Sequence, residues 1–338
     1  MPSDRALEAA TPAIAPQAAE AARCLAALIN PRSFRMSLRD RARRSAARVA
    51  AHGGKVFRVA DLAAIEHALE RAMDDDVGRL VIAGGDGTLQ GSVSWLARNL
   101  PPERLPELIV LSAGRTNYVA GDIGARWHFP DTLERILTTD PQQLHPVDRA
   151  TLELHHPSLG RQHGFFMAGA AIDEIIRYVH LWQAAKDNWW RTAYAASTLG
   201  VLSLAARRLA GRYRFDRPHL EVAADPLGRL HGPCRFLLAT TLTHAGSPVD
   251  PYAERGSGAL RLTAVHDRAA GLRWRLPRLV GGWFGRAMNP ENGYLSGRCE
   301  HVEIHCLRQL TLDGQEFDLD PYEPLCIRPG PVFRFLRA

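Results

Sequence analysis

The chain has 338 residues, of which 46% are hydrophobic and 23% charged, with a formal net charge of +6. That length can hold two cores, and the composition belongs to a folded globular protein rather than a disordered or collagenous one. The basic residues are nearly all arginine, Lys55 and Lys186 being the only lysines; neither follows a GxxxxG, so phosphate chemistry must use backbone amides, arginine or a metal ion.

At the N-terminus, acidic residues come early and no basic-then-apolar order appears, so residues 1–30 do not read as a secretory signal. Residues 1–20 are rich in Ala and Pro and are expected to be loosely ordered. No apolar run reaches the ~18 residues of a membrane-spanning helix. The cysteines at 24, 234, 299, 306 and 326 form no CxxC pair and are odd in number, which argues for a reducing compartment rather than a disulfide framework.

In chain order, "CLAALIN" reads as a first strand and "SLRDRARRSAARVAAHGG" as a helix stopped by glycine. "KVFRVA" is a strand, and "DLAAIEHALERAMDD" a helix with Asp61 as its N-cap. Next comes "LVIAGGDGTLQG", residues 80–91, where the apolar run Leu80–Ala83 suits a strand buried on both faces. The glycines around Asp86 are expected to allow close approach of a ligand and positive φ. A helix follows, with Leu89, Val93, Leu96, Ala97 and Leu100 at helical spacing. A glycine turn between a buried strand and a helix N-terminus suits phosphate, because unpaired N–H groups and the helix dipole meet there. "ELIVLSAG" is a fourth buried strand.

This alternation predicts an α/β fold, with an N-terminal doubly wound parallel sheet whose ligands sit at the carboxyl ends of the strands. "LIN" at 28–30, "AGGDG" and "SAG" at 112–114 lie at such ends. Past Pro146 the segments "RATLELHH", "HGFFMAGAAI", "PHLEVAA", "CRFLLATTLTH", "ALRLTAVHD", "HVEIHC" and "RQLTLDGQEFDLD" alternate like antiparallel strands of a C-terminal β-sandwich. "LDGQEF" carries the Asp-Gly signal of a tight hairpin, and a long helical stretch is expected over roughly 174–212. The expected division is a loose segment 1–20, an α/β domain 21–147 rejoined by 325–338, and a β-sandwich substrate domain 148–324.

Two further features stand out. In "CEHVEIHC", 299–306, strand alternation puts Cys299, His301, Glu303 and His305 on one face, although ligands two apart lie roughly 7 Å apart, too far to chelate unaided. The stretches "WWRTAYAASTLGVLSLAARRLAGRYRF" and "LRWRLPRLVGGWFGRAM" mix Trp, Leu and Arg, a composition suited either to core helices with solvated arginines or to a surface that meets anionic lipid.

The ordered motifs Asn30-Pro31-Arg32-Ser33, Gly84-Gly85-Asp86-Gly87-Thr88, Gly114-Arg115-Thr116-Asn117, "AGAAID" ending at Asp173, "PYAERGSGAL" from Pro251 and "LDGQ" at 312–315 resemble the diacylglycerol kinase catalytic-domain superfamily. That superfamily includes bacterial lipid kinases and sphingosine kinases. The resemblance runs from about Leu25 to the C-terminus. It implies that ATP binds the N-terminal domain through the first three motifs, that Asp86 binds Mg²⁺ or orients the attacking hydroxyl, and that a β-sandwich closes the cleft. It implies an ATP-dependent lipid kinase for a diacylglycerol-like or sphingoid hydroxyl, cytoplasmic and peripheral to the inner membrane leaflet. Expected partners are ATP, a lipid substrate and a membrane surface; nucleic acid is not expected, and a homodimer is left open.

The departures from the family pattern matter too. Phe34 stands where the first motif usually ends in glycine, and Arg115 and Tyr118 replace threonine and aspartate in the third. Ser257-Gly258 replaces an Asp-Gly, which argues against the structural metal site held by some bacterial members. Gln315 occupies the place of the usual catalytic Glu, and an amide cannot accept the proton. Glu316 could serve only if a bulge shifted the register of the hairpin. The alternative is a catalytically weak or inactive nucleotide- and lipid-binding member of the same superfamily.

Overall fold

The computed structural model describes residues 24–38, 40–114, 118–123, 129–139, 143–184, 215–243 and 249–337. Its first part alternates strands and helices: β1 (Cys24–Ile29), α1 (Arg41–Ala51), β2 (Lys55–Arg58), α2 (Leu62–Asp74), β3 (Val77–Gly84), α3 (Asp86–Asn99) and β4 (Glu107–Ser112). β1 pairs in parallel with β2 and β3, and β3 in parallel with β4. Both faces are covered, which explains the unbroken apolar runs. Ala26, Leu28, Leu80, Ile82, Leu108 and Val110 enter one core with α2 and α3. Their neighbours Ala27, Ile29, Val81, Ala83, Ile109 and Leu111 enter the opposite core with α1 and a helix α5 (Phe129–Thr138). A short helix α4 (Tyr118–Asp122) precedes α5. Asp61 caps α2 as its sequence position predicts, its carboxylate accepting from the Ala64 amide at 2.9 Å.

The remaining strands pair antiparallel with one another: β5 (His145–His156), β6 (Gly160–Gly164), β7 (Phe166–Ala170), β8 (His219–Asp225), β9 (Gly228–Thr240), β10 (Leu260–His266), β11 (Tyr294–Cys299), β12 (His301–His305), β13 (Gln309–Leu312), β14 (Gln315–Asp318) and β15 (Leu325–Arg337). One layer holds β5, β6, β8, β12 and part of β15; the other holds β7, β9, β10, β11, β13 and β14, and the long β9 is hydrogen-bonded into both. A single core lies between the layers, with Leu154, Val222, Ile304 and Ile327 from one side and Met167, Leu237, Leu262 and Leu312 from the other. On the outer face of the second layer lie α6 (Ala171–Ala184) and α7 (Leu272–Val280).

Several sequence expectations are modified. The helix expected from 174 starts earlier, at Ala171, immediately after Ala170 takes a left-handed φ of 54°; its continuation beyond Ala184 lies outside the described residues. β11 was not anticipated. Its Gly297, at φ 153°, breaks the alternation and leaves room for the Arg255 carbonyl, which would lie 2.4 Å from an added Cβ. Cys299 belongs to β11, whereas His301, Glu303 and His305 belong to β12, and the imidazole of His305 pairs with Glu303 at 2.8 Å. Among the described residues no group of His, Cys, Asp and Glu could hold a metal ion there. The cysteines are all free thiols, and no described helix is long and apolar enough to cross a membrane.

β15 joins the two parts. Its first half pairs with β12 and β5, and its end runs parallel to β4, with Phe335 opposite Leu108. Phe335 is buried in the core of the parallel sheet, where its ring meets that of Phe165 edge-on at 5.9 Å. Replacing Phe335 by Ala is therefore expected to cost about 3–5 kcal/mol, the usual penalty for emptying a buried phenylalanine site. Urea denaturation checks this; a loss below about 1 kcal/mol would mean that β15 does not hold the two parts together.

Candidate active site

The carboxyl ends of β1, β3 and β4 form one rim. Gly84 ends β3, Gly85 is the N-cap of α3, and Asp86 is the first helical residue. Thr88, buried beneath the turn, receives a hydrogen bond from Asn30 Nδ2 at 3.0 Å, which ties the first motif to the second. Asn30 also accepts from the Arg32 amide at 2.9 Å, while Ser33 Oγ donates to the Asn30 carbonyl at 2.8 Å. Pro31 lies between them in the same turn. The loop then settles on the end of β4, the Arg35 amide donating to the Ala113 carbonyl.

The glycines are needed here for close approach, not for backbone hand. Gly85 has φ −89°, and none of Gly84, Gly85, Gly87 and Gly114 has a positive φ, contrary to the sequence expectation. A Cβ on Gly84 would lie 2.5 Å from the Thr88 side chain, and one on Gly85 would lie 3.2 Å from the Gly114 Cα. One on Gly87 would lie 2.2 Å from Gln315 Nε2. The turns after β3 and β4 are thus pressed together, and the β13–β14 hairpin is pressed onto the first turn of α3.

That hairpin has a regular register, Leu312 opposite Gln315 and Thr311 opposite Glu316. Asp313 and Gly314 both take positive φ, the tight turn that Asp-Gly announces. With no bulge, successive side chains point to opposite faces. Gln315 faces Gly87. Glu316 faces away and pairs with Arg177 of α6 at 3.3 Å, so the route by which a bulge would turn Glu316 into the cleft is not the one the hairpin takes. Arg177 also donates to Asp173, at 2.9 Å, and to the carbonyls of Leu310 and Phe317. Thr311 donates to Asp173 in turn, so α6 clamps the outer face of the hairpin.

Asp313 was read in the sequence only as a turn residue. Its carboxylate is buried and accepts from the Phe165 amide at 2.8 Å and the Phe166 amide at 2.9 Å. Burial, reinforced by the negative charge of Asp86, pushes its pKa up to about 8. The available signal was a carboxylate flanked by the apolar "LTL" and a glycine, which sequence patterning cannot separate from an exposed turn.

A cavity of about 560 Å³ opens on this rim, lined by Asn30, Arg32, Ser33, Gly85, Thr88 and Gln315 among others. Its far wall brings in residues the motifs do not contain. Ser94 and Gln90 of α3 bond to the backbone of His163 in β6, and Arg98 pairs with Glu66 at 3.1 Å. Phe34, where the family pattern has glycine, also lines it. Arg115, Thr116 and Asn117 lie outside the described residues, as does the stretch 189–214 of the first Trp/Arg segment.

Residues 24–149 match the family profile described as Diacylglycerol kinase catalytic domain. The match lies in the N-terminal part of the chain, which is similar there to a diacylglycerol kinase catalytic domain. A solved diacylglycerol kinase from Bacillus anthracis str. Sterne shares its fold with TM-score 0.58 and 12% identity, over 94% of this chain and 97% of that one. A second protein of that organism, assigned to the same kinase class, gives TM-score 0.61 and 14% identity over 94% of this chain and 95% of that one. No curated protein matches. The diacylglycerol kinase-like architecture, a parallel sheet followed by antiparallel strands, is the one expected from the sequence.

Because the Asp313 carboxyl is neutral more readily in the folded chain than in the unfolded one, folding takes up a proton between pH about 4 and about 8. Its contribution to stability is complete below the unfolded value of 3.8 and falls as pH rises through about 8. Asp313→Asn should flatten this fall, whatever its absolute cost. Urea midpoints measured across that window for both proteins check this, and identical slopes would contradict the burial of an acid.

Proposed function

We propose that this chain is an ATP-dependent lipid kinase that phosphorylates a hydroxyl of a diacylglycerol-like or sphingoid lipid. The observation that carries the reading is the meeting of three separate chain segments around one cavity: the Asn30 loop, the glycine turn that opens α3, and the Gln315 hairpin. The first-turn amides of α3 are aimed at the rim, and a helix N-terminus favours anions. The close-packed glycines at 85 and 114 leave a backbone surface a phosphate chain could lie against. This donor set fits ATP, and the Asp86 carboxylate at the start of α3 fits a divalent cation beside the phosphates. Mg²⁺ would be held by Asp86, and when bound it supplies neutralisation of the phosphate charge.

Phosphoryl transfer asks chiefly for positioning and charge stabilisation. On this reading Asn30 fixes the Thr88 hydroxyl, the amides of 85–87 bind phosphate, and Arg32 supplies positive charge at the mouth. On this reading Asp86, the first residue of α3 beside the cavity-lining Gly85 and Gly87, orients the lipid hydroxyl, while Glu316 pairs with Arg177 on the far face of the hairpin. Gln315 positions, through its amide against Gly87, but cannot take the proton. The enzyme on this reading works without the general base its relatives place there, a loss worth on the order of 10²–10⁴ in rate.

Incubation with γ-labelled ATP, Mg²⁺ and a mixed lipid extract, followed by identification of the labelled lipid, tests the proposal. Asp86→Asn should lower lipid phosphorylation by about a hundredfold while leaving the melting temperature near that of wild type. Retention of more than about a tenth of the activity would remove Asp86 from this role. Gln315→Glu should raise the rate by about tenfold or more, since it restores a proton acceptor at nearly unchanged volume. If wild type and Gln315→Glu both label nothing yet are stabilised by Mg-ATP, the chain is a nucleotide-binding member of the superfamily without kinase activity.

A further inference from the structure

The second Trp/Arg segment lies apart from the cleft residues, on the outer face of the β7–β9–β10–β11 layer. α7 packs there through Leu272, Arg275 and Leu279, an i, i+3, i+7 stripe. Arg275 is consumed in this anchoring, donating to the carbonyls of Ala270 and Ala287. The opposite side carries unusual chemistry for a solvated helix. Trp274 is 89% exposed and Trp283 73%, with Leu276 and Val280 exposed beside them. Arg273, Arg278 and Arg286 stand among these, and the run from Arg268 to Pro290 contains five arginines and no acidic residue.

At the N-terminal end of α7 a cavity of about 580 Å³ is lined by Arg217, Arg235, Arg268 and Arg273 with Trp274 and Asp267. Asp267 is already shared, bonding Arg217 at 2.8 Å and Arg235. Four guanidinium groups against one carboxylate leave this cavity strongly positive. Guanidinium forks match phosphate oxygens in geometry as well as charge.

We propose that the exposed side of α7, with the segment through Arg286, is a docking surface for an anionic lipid bilayer, and that the arginine cavity takes the phosphate of one lipid headgroup. Indole rings are the side chains that settle at the headgroup level, apolar body inward and N–H toward water. Arginines beside them are drawn by the negative surface potential of anionic leaflets. A face for a soluble protein partner would not need an acid-free arginine strip around two bare tryptophans. The choice of a lipid surface as occupant rests on the lipid-kinase reading, but the two can fail separately, because binding to vesicles requires neither ATP nor turnover.

The test is cosedimentation of the full chain with vesicles of phosphatidylcholine alone or mixed with phosphatidylglycerol. Wild type should bind the mixed vesicles about tenfold more tightly or better, and salt should erase the difference. Trp274→Ala combined with Trp283→Ala should weaken binding to both vesicle types. Arg273→Ala, Arg278→Ala and Arg286→Ala should each weaken binding to the mixed vesicles by about fivefold and leave phosphatidylcholine binding alone. Arg268→Ala should abolish protection by a soluble glycerophosphate headgroup, if that protects wild type in thermal melts. All these side chains are exposed or line a cavity, so the melting temperatures of the unliganded variants should stay near wild type. Wild type failing to bind mixed vesicles, or the double tryptophan variant binding like wild type, would overturn the proposal and leave the face to a protein partner.

Discussion

The geometry of the cleft depends on one buried carboxylate. Asp313 closes the turn of the β13–β14 hairpin while its two oxygens accept the amides of Phe165 and Phe166. Phe165 is itself fixed, since its ring sits in the core of the parallel sheet against Phe335. The chain of restraint therefore runs from that core, through one residue, to the hairpin, and two positions later to Gln315 against Gly87. A carboxyl group is suited to this because its two oxygens can each accept from a different one of two adjacent amides. The cost is a charge taken out of water beside Asp86, which the raised pKa of Asp313 expresses.

β15 explains why the cleft has a fixed width. Thirteen residues long, it is edge-bonded to the sandwich strands at its start and to the parallel strand β4 at its end. Two domains joined by a linker would hinge by default. Here β15 carries hydrogen bonds from one to the other, with a register shift between Pro329 and Val332, and α3 adds a second seam where Ser94 and Gln90 bond to β6.

Much of this was legible in the sequence. β1, β3 and β4 announced themselves as unbroken apolar runs because helices cover both faces of their sheet, and Asp61 announced a helix because an N-cap is a local device. The Asp-Gly hairpin was legible for the same reason. What could not be read was set by tertiary contact. Glycines 84, 85 and 87 look like hinges for positive φ, but their lack of a Cβ is needed by Thr88, Gly114 and Gln315, residues up to hundreds of positions away in the chain. The register that separates Gln315 from Glu316 was foreseeable from strand alternation, whereas the partner that holds Glu316 on the far face, Arg177, was not. β11 was hidden because Gly297 yields its side-chain space to the Arg255 carbonyl. Asp313 was hidden because burial of a turn residue depends on what the turn lands on.

The amide at 315 has a physical logic of its own. A glutamate there would place a third carboxylate near Asp86 and Asp313, in a region where burial already drives one of them toward its neutral form. Like charges that close cannot all stay ionised without a cation, because their repulsion grows as water is excluded. With glutamine, the hairpin can press its side chain onto the first turn of α3 whether or not a metal is present, and the helix amides keep an uncharged neighbour. The hairpin can therefore seat on α3 without a cation to offset a charge at position 315.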